Sequence, residues 1–317
     1  MMNSNKLLQR FCAGGRQMQV QNQMAASQFL IPTQYRNFGA NEKALKARMK
    51  SVNSIKKITK AMKMVATSKM KGDLMRLANG KEYGVGAIDT MFASDASLKE
   101  KSSQTAGSAE LLVPITSDKG MCGSINSGII RSVRDYVNQR DRSKLAIFAI
   151  GDKGAVGMSR PMADILKVGI SEIQTPYNYP TAMALTENII QMSETSSSDK
   201  VTLVYNEFVS AISTNIIYLD LMSRRKFFEA MQGMSAYHTD QLIAPAALYD
   251  LYVTSNLWVA LLNNAASEQS ARMNAMENAS KNAGEILDAL TLQYNKARQA
   301  RITTELVEII SGMTSLE

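Results

Sequence analysis

Residues Leu257–Glu317 read LWVALLNNAASEQSARMNAMENASKNAGEILDALTLQYNKARQARITTELVEIISGMTSLE. No proline follows Pro245, and only Gly284 and Gly312 interrupt a run of good helix formers. Apolar or small residues recur at Trp258, Leu262, Ala265, Met273, Met276, Ala279, Ala283, Leu287, Leu290, Tyr294 and Ala297, with Gln269 filling the one longer gap. Intervals of three and four make this a coiled-coil stripe, and its alanines let a partner helix come close. At ~1.5 Å per residue a straight helix over this stretch reaches roughly 90 Å, far longer than a helix in a compact domain. Such a helix needs a partner.

A second helical stretch supplies one. Across 41–80, Leu45, Met49, Val52, Ile55, Ile58, Met62 and Val65 form a stripe spaced by threes and fours, with no Gly or Pro before Gly72. Lys46, Lys50, Lys56, Lys57, Lys60 and Lys63 occupy the rest of the wheel. The net charge of +8 sits here and upstream: residues 1–41 carry +4, residues 42–76 carry +9, and the remaining 241 residues are left at −5. A solvated helix face is the ordinary reading of such lysines. Eleven Lys/Arg against two acids in 42–76 is too lopsided for i,i+4 pairing and points to an acidic or polyanionic partner.

Residues 1–38 are Arg-bearing, acid-free and rich in Gln, Asn and Ser, without the continuous apolar core of a secretory signal. They read as a mitochondrial presequence, with Arg36-Asn37-Phe38 before Gly39-Ala40 as the processing region. The tracts Tyr83–Phe92 and Ser94–Ser108 read as a weak helical continuation and a Ser-rich linker.

The middle of the chain changes period. Glu110–Thr116, Leu145–Ile150, Val201–Tyr205 and Ile212–Met222 are strand-like, and Ile125–Val137 and Thr181–Met192 are helical. This alternation predicts a small α/β domain with a largely parallel sheet and antiparallel final strands. Residues 223–245 read as an excursion. The fold class is therefore α/β: a long antiparallel coiled coil of N- and C-terminal helices with an inserted Rossmann-like α/β domain. Its boundaries are a presequence at 1–38, an N-terminal coiled-coil helix at 39–95, the α/β domain at 109–222 and a C-terminal coiled-coil helix at 245–317.

Catalytic chemistry is poorly supplied. Cys12 and Cys122 fit no metal or disulfide framework, and His238 is the single histidine. The loop Ser117-Asp-Lys-Gly-Met-Cys-Gly123 follows a strand and precedes a helix, where α/β domains hold phosphates, yet it fits neither G-x-x-x-x-G-K-[ST] nor G-x-G-x-x-G. A tight strand-to-helix turn accounts for it better. Asp118 with Lys119, or Asp152 with Lys153, could form acid–base pairs, but no further carboxylate or histidine converges on either by motif. No run approaches the ~20 apolar residues of a membrane span.

Four segments carry a resemblance: Ser51–Ala66 (SVNSIKKITKAMKMVA), Ser117–Gly123 (SDKGMCG), Ser267–Ala283 (SEQSARMNAMENASKNA) and Leu292–Gly312 (LQYNKARQARITTELVEIISG). They closely resemble the gamma subunit of the rotary ATP synthase, with Met313 departing from the alanine usual after the glycine. The resemblance implies a non-catalytic rotor shaft that couples rotation of a proton-driven membrane ring to conformational changes on beta subunits. It implies no cofactor. Its partners would be the alpha and beta subunits of the catalytic head, epsilon/delta-type central-stalk subunits and the membrane ring, at the matrix side of the mitochondrial inner membrane, peripheral to it and without nucleic acid. By similarity, Arg298, Gln299 and Thr303 contact a beta-subunit loop, Met62 faces the acidic beta-subunit loop beside Lys56, Lys57 and Lys60, and Leu306–Leu316 is the tip turning in an apolar collar. Arg298, Gln299 and Arg301 interrupt the C-terminal stripe, which is then expected to leave its partner near Ala297.

Two other readings remain at the level of sequence. One is a nucleotide-binding α/β protein with helical appendages. The other is a basic coiled-coil nucleic-acid-binding protein, weakened by the lack of aromatics between Ala40 and Leu77.

Overall fold

The structure, a computed structural model, describes residues 38–82, 109–225, 227–228 and 244–315. Residues 1–37 of the expected presequence, Tyr83–Ser108, most of the 223–245 excursion, His238 and Cys12 lie outside the described residues. The elements in chain order are α1 (Phe38–Lys81), β1 (Glu110–Pro114), α2 (Ile125–Asn138), β2 (Leu145–Ile150), α3 (Asp152–Met158), β3 (Leu166–Ile170), α4 (Tyr179–Thr195), β4 (Lys200–Phe208), β5 (Thr214–Met222) and α5 (Ala244–Thr314). The described residues form two compact units, one within Ser54–Gly284 and one of those up to Asn53 with those from Glu285.

Within the larger unit the five strands lie in the order β3-β2-β1-β4-β5. The first four run parallel, and β5 returns antiparallel to β4. Every residue of β1 and β2 is buried, which is why these central strands read as unbroken apolar runs. The pleat sends alternate residues to two cores. Leu111, Val113, Phe148, Ile150, Val201 and Leu203 pack with Ala182, Leu185 and Ile189 of α4 and with Tyr249, Val253, Leu257 and Leu261 of α5. Leu112, Ile147, Ala149 and Val204 pack with Ile129, Val133 and Val137 of α2 and with Met158 and Met162. The start of the long helix is thus part of the domain core.

Pro114 ends β1 and lacks the N–H that would point toward β2, because Ile115 donates to Val204 O on the other side. The β1–β2 ladder accordingly pauses after Leu112↔Ile147 and resumes only at the isolated bridge Ile115↔Ile150.

The sequence pattern marks no element between Ile150 and Thr181, where the structure has α3 and β3. The strand is short, half exposed along its length and interrupted by Lys167 and Gly169, so it lacks the apolar run that marked its neighbours. Between β2 and α3 the chain turns through Gly151 at φ +98°, where a Cβ would lie 2.3 Å from Thr116 O.

In the same unit α1 runs antiparallel to α5. Leu77 packs with Leu262 and Ala266, Lys63 Nζ lies 2.9 Å from Glu277 Oε1, and Lys56 sits beside Gly284. The buried seam of α1 differs from the expected stripe. It follows Lys56, Thr59, Lys63, Ala66, Met70, Asp73, Leu77 and Gly80, alternating steps of three and four, while Ile55, Ile58 and Val65 point outward. The expected stripe took two successive steps of three from Val52, which rotates it off the 3.5-residue seam. The seam admits small residues and lysine stems because the facing helix is close: a Cβ at Gly80 would lie 2.6 Å from Leu262 Cδ1.

In the other unit Leu45, Met49 and Val52 are half-buried, and a groove is lined by Lys43, Lys46, Met49, Lys50, Leu287 and Thr291. Arg301 Nη1 lies 2.6 Å from Glu42 Oε2, and the Glu42 side chain is only 13% exposed. Arg301 is therefore a pairing residue within the chain, and the helices stay together one turn past Ala297. Charge attraction replaces the apolar contact that the stripe lacked there.

Replacing Gly151 with alanine combines a left-handed φ with a backbone clash. Thermal unfolding of the purified chain should show a loss of about 3 kcal/mol or more for Gly151→Ala.

Candidate functional site

The outer surface of α1 in the larger unit joins charge to apolar groups. Lys57 and Lys60 are exposed, and Ile55, Ile58, Met64 and Val65 are each about half exposed or more. Met62 and Lys56 are half-buried at the edge of this face. Thr59 turns inward and its hydroxyl donates to Ile55 O, 3.0 Å, so the polar group costs the seam nothing. Lysine stems across isoleucines give a surface that attracts acid at long range and buries apolar area on contact.

Along the other unit, Arg298, Gln299 and Thr303 are exposed on α5. The Thr303 hydroxyl donates to Gln299 O, 2.9 Å, leaving both residues on one side of the helix. From Ile302 to Ser315 no residue is buried, although Ile302, Leu306, Val307, Ile309, Ile310 and Met313 are apolar. A solvated helix of this composition is a candidate contact surface.

The strand-to-helix loop Ser117–Gly123 is a joint. Asp118 accepts two backbone N–H bonds, from Asp152 to Oδ1 at 2.8 Å and from Ile173 to Oδ2 at 3.0 Å. Thr116 Oγ1 accepts from Gly154 N, 2.9 Å. The free amides at the start of α3, where a phosphate could have been cradled, are thus filled by the chain's own carboxylate and hydroxyl. Ser117 N is likewise taken, donating to Asn126 Oδ1, and Asn126 Nδ2 donates to Ser117 Oγ and Cys122 Sγ. Cys122 is buried in this network. Lys153 pairs with its neighbour Asp152, 2.9 Å, so neither acid–base pair suggested by the sequence assembles a catalytic centre.

The far side of the loop meets α5. Arg272 pairs with Glu268 one turn earlier and its Nη2 donates to Gly120 O, 3.4 Å. Gly123, at φ +64°, lies close to Ala271 O and Ala275. Burial raises the Glu268 carboxyl above its ordinary range, opposed by Arg272. Tyr177 is raised by burial too, with Glu268, Asp118 and Asp73 adding to the effect. Among the described residues no group of acids, histidines and cysteines is arranged to hold a metal.

A protein-family model described as ATP synthase matches residues 41–316, which spans both helical segments and the sheet. ATP synthase subunit gamma, mitochondrial, of Drosophila melanogaster is 34% identical over 278 residues, covering 87% of this chain and 91% of the relative. The chain belongs to the ATP synthase gamma-subunit family. The ATP synthase gamma chain of Fuscovulum blasticum is 37% identical over 292 residues, covering 86% of this chain and 99% of its own. Among solved structures, a chain of the Tetrahymena thermophila mitochondrial ATP synthase central stalk/c-ring structure has TM-score 0.64 at 42% identity, covering 70% of this chain and 99% of that one. A chain of the Euglena gracilis enzyme, at 21% identity, shares the fold with TM-score 0.69 over 88% of this chain and 95% of its own.

Family members are non-catalytic stalk subunits, so the surfaces above carry more meaning than any cleft. The structure brings Lys56, Lys57, Lys60 and Met62 together within two turns of α1 and, in the other unit, Arg298, Gln299 and Thr303 within two turns of α5. Sequence reasoning missed the joint formed by Asp118, Glu268 and Arg272. Its signal was present: a Glu-x-x-x-Arg pair within Ser267–Ala283, and an aspartate in a strand-to-helix turn.

Removing the Asp118 carboxylate leaves two part-buried amides without acceptors. Urea unfolding should show Asp118→Ala destabilised by about 2–3 kcal/mol, and Asp118→Asn by less because one amide oxygen remains.

Proposed function

We propose that this chain is the central rotor shaft of a proton-driven mitochondrial ATP synthase, transmitting rotation of a membrane ring to catalytic sites on beta subunits. The supporting observation is the family match over residues 41–316, with relatives covered over 91–99% of their own length. On this reading α1 and α5 form an antiparallel coiled coil, the five-stranded domain is a Rossmann-like foot, and residues 1–38 are a transit peptide. The domain limits are those expected from sequence: 39–95, 109–222 and 245–317. Partners are the alpha and beta subunits, the epsilon/delta-type stalk subunits and the ring, and the chain sits peripherally at the matrix side of the inner membrane. No helix among the described residues is long and apolar enough to cross a membrane.

The residues divide the work by chemistry. Lys57 and Lys60, with Lys56 at the edge, attract an acidic beta-subunit loop, and Met62 with the outward isoleucines supplies apolar contact beside it. Arg298 and Gln299 offer directional donors to a second beta-subunit loop, with Thr303 on the same side of the helix. The exposed apolar end beyond Ile302 turns against an apolar collar. Each orientation of such a shaft biases nucleotide affinity only through contacts that differ between its faces. A nucleotide-binding reading of the α/β domain loses ground at α3, whose first amides are taken by Asp118 and Thr116.

Lys56 lies against Gly284, so reversing its charge would also disturb the helix pair. Lys57→Glu with Lys60→Glu avoids that. In the purified complex this double change should lower gradient-driven ATP synthesis several-fold while the chain still copurifies with alpha and beta subunits. Unchanged synthesis would sink the charge argument, and absence of alpha and beta subunits from the wild-type preparation would sink the rotor assignment.

A further inference from the structure

A rotor foot must resist turning about the shaft, and apolar packing resists separation far better than it resists sliding, because burial is non-directional. Hydrogen bonds fix direction. The long helix changes from one kind of contact to the other along its length. Leu257, Ala260 and Leu261 are sunk in the apolar core beneath the sheet. Immediately beyond, a polar stripe at Asn264, Ser267, Ser270 and Asn274, spaced by three, three and four, meets the ends of β4 and β5.

Asn264 Oδ1 accepts from Asn206 Nδ2 at 3.1 Å, and Ser267 Oγ donates to Asn206 O at 3.1 Å. Ser270 Oγ, at 2.7 Å, and Asn274 Nδ2, at 2.6 Å, both donate to the carbonyl of Ala211 in the β4–β5 turn. Asn206, Asn264, Ser267 and Ser270 are all at least 97% buried. Water therefore cannot trade places with the two bonds at Asn206 as the helix is loaded. Arg272, off the stripe, reaches the β1 loop at Gly120 O, so the helix is held from two directions.

We propose that this polar stripe is a torque clamp: Ser270 and Asn274, gripping Ala211 O, are positioning residues that lock the β4–β5 turn to the shaft so that rotation of the foot reaches α5 without slip. The proposal rests on the rotor reading above and names where its torque crosses from sheet to helix. It concerns coupling, not folding. Ala211 is exposed and water can pair with its carbonyl once the clamp is removed, while alanine at 270 and 274 favours the helix.

The test uses the whole ATP synthase carrying Ser270→Ala with Asn274→Ala. ATP hydrolysis should stay at the wild-type rate, while protons pumped per ATP fall several-fold. Amide hydrogen exchange at Ile212 and Ser213 should speed by about tenfold or more, with β1 and β2 unchanged. Ser270→Thr keeps the hydroxyl and should restore coupling. Ser270→Ala alone, which leaves the Asn274 bond, should give an intermediate loss and serves if the double variant does not assemble. Full coupling in either alanine variant, or equal loss in Ser270→Thr, overturns the clamp. Loss of this chain from the wild-type complex would instead overturn the rotor reading.

Discussion

Everything in this chain depends on how one long helix changes surroundings along its length. At Leu261 and Leu262 it is enclosed by a sheet and a second helix, and from Ile302 to Ser315 every residue of it is exposed. A single helix can tolerate this because its backbone hydrogen bonds are satisfied internally, whatever lies outside. The side chains then specify three successive environments: apolar under the sheet, polar at the strand tips, small and evenly spaced against the facing helix. The α/β domain supplies what a helix pair lacks, a wide base whose core is shared with the helix itself.

The sequence carried most of this architecture, because long periodic helices and buried parallel strands both leave strong patterns. Central strands such as Leu145–Ile150 were plain, whereas β3 was invisible: a half-exposed edge strand has no reason to be apolar. The seam of α1 was misplaced for a related reason. Hydrophobicity marked Ile55 and Ile58, but the close approach of α5 selects for small size, so Thr59, Ala66 and Gly80 lie inside. Arg301 interrupts the apolar stripe and so resembles an end of pairing, since an ion pair with Glu42, more than two hundred residues away, has no local signature. Of the surface residues named for partner contact, the lysines stand out by charge, whereas Met62, Arg298, Gln299 and Thr303 are legible only through family resemblance. Exposure is compatible with their roles, and periodicity alone would have passed over Gln299 and Thr303.

The loop Ser117–Gly123 shows how a fold associated with phosphate binding can serve another end. Parallel strands leave helix amides at their carboxyl ends, and many proteins place a ligand there. Here an aspartate from the same loop takes the position of the anion, bridging α3 and the segment after β3. What would be a recognition site becomes a rivet. The same loop then offers Gly120 O to Arg272, turning the ligand-binding edge of the sheet into its attachment to the helix.

The exposed apolar end of α5 has a consequence for the life of the chain before it meets any partner. Leu306, Val307, Ile309, Ile310 and Met313 are each more than half exposed. Copies made in excess would associate through these side chains, since nothing among the described residues covers them. Synthesis of this chain must therefore be matched to the supply of whatever encloses that end, or unassembled copies must be shielded or degraded. The same exposed apolar end that suits contact with a partner thus makes an unassembled copy prone to associate.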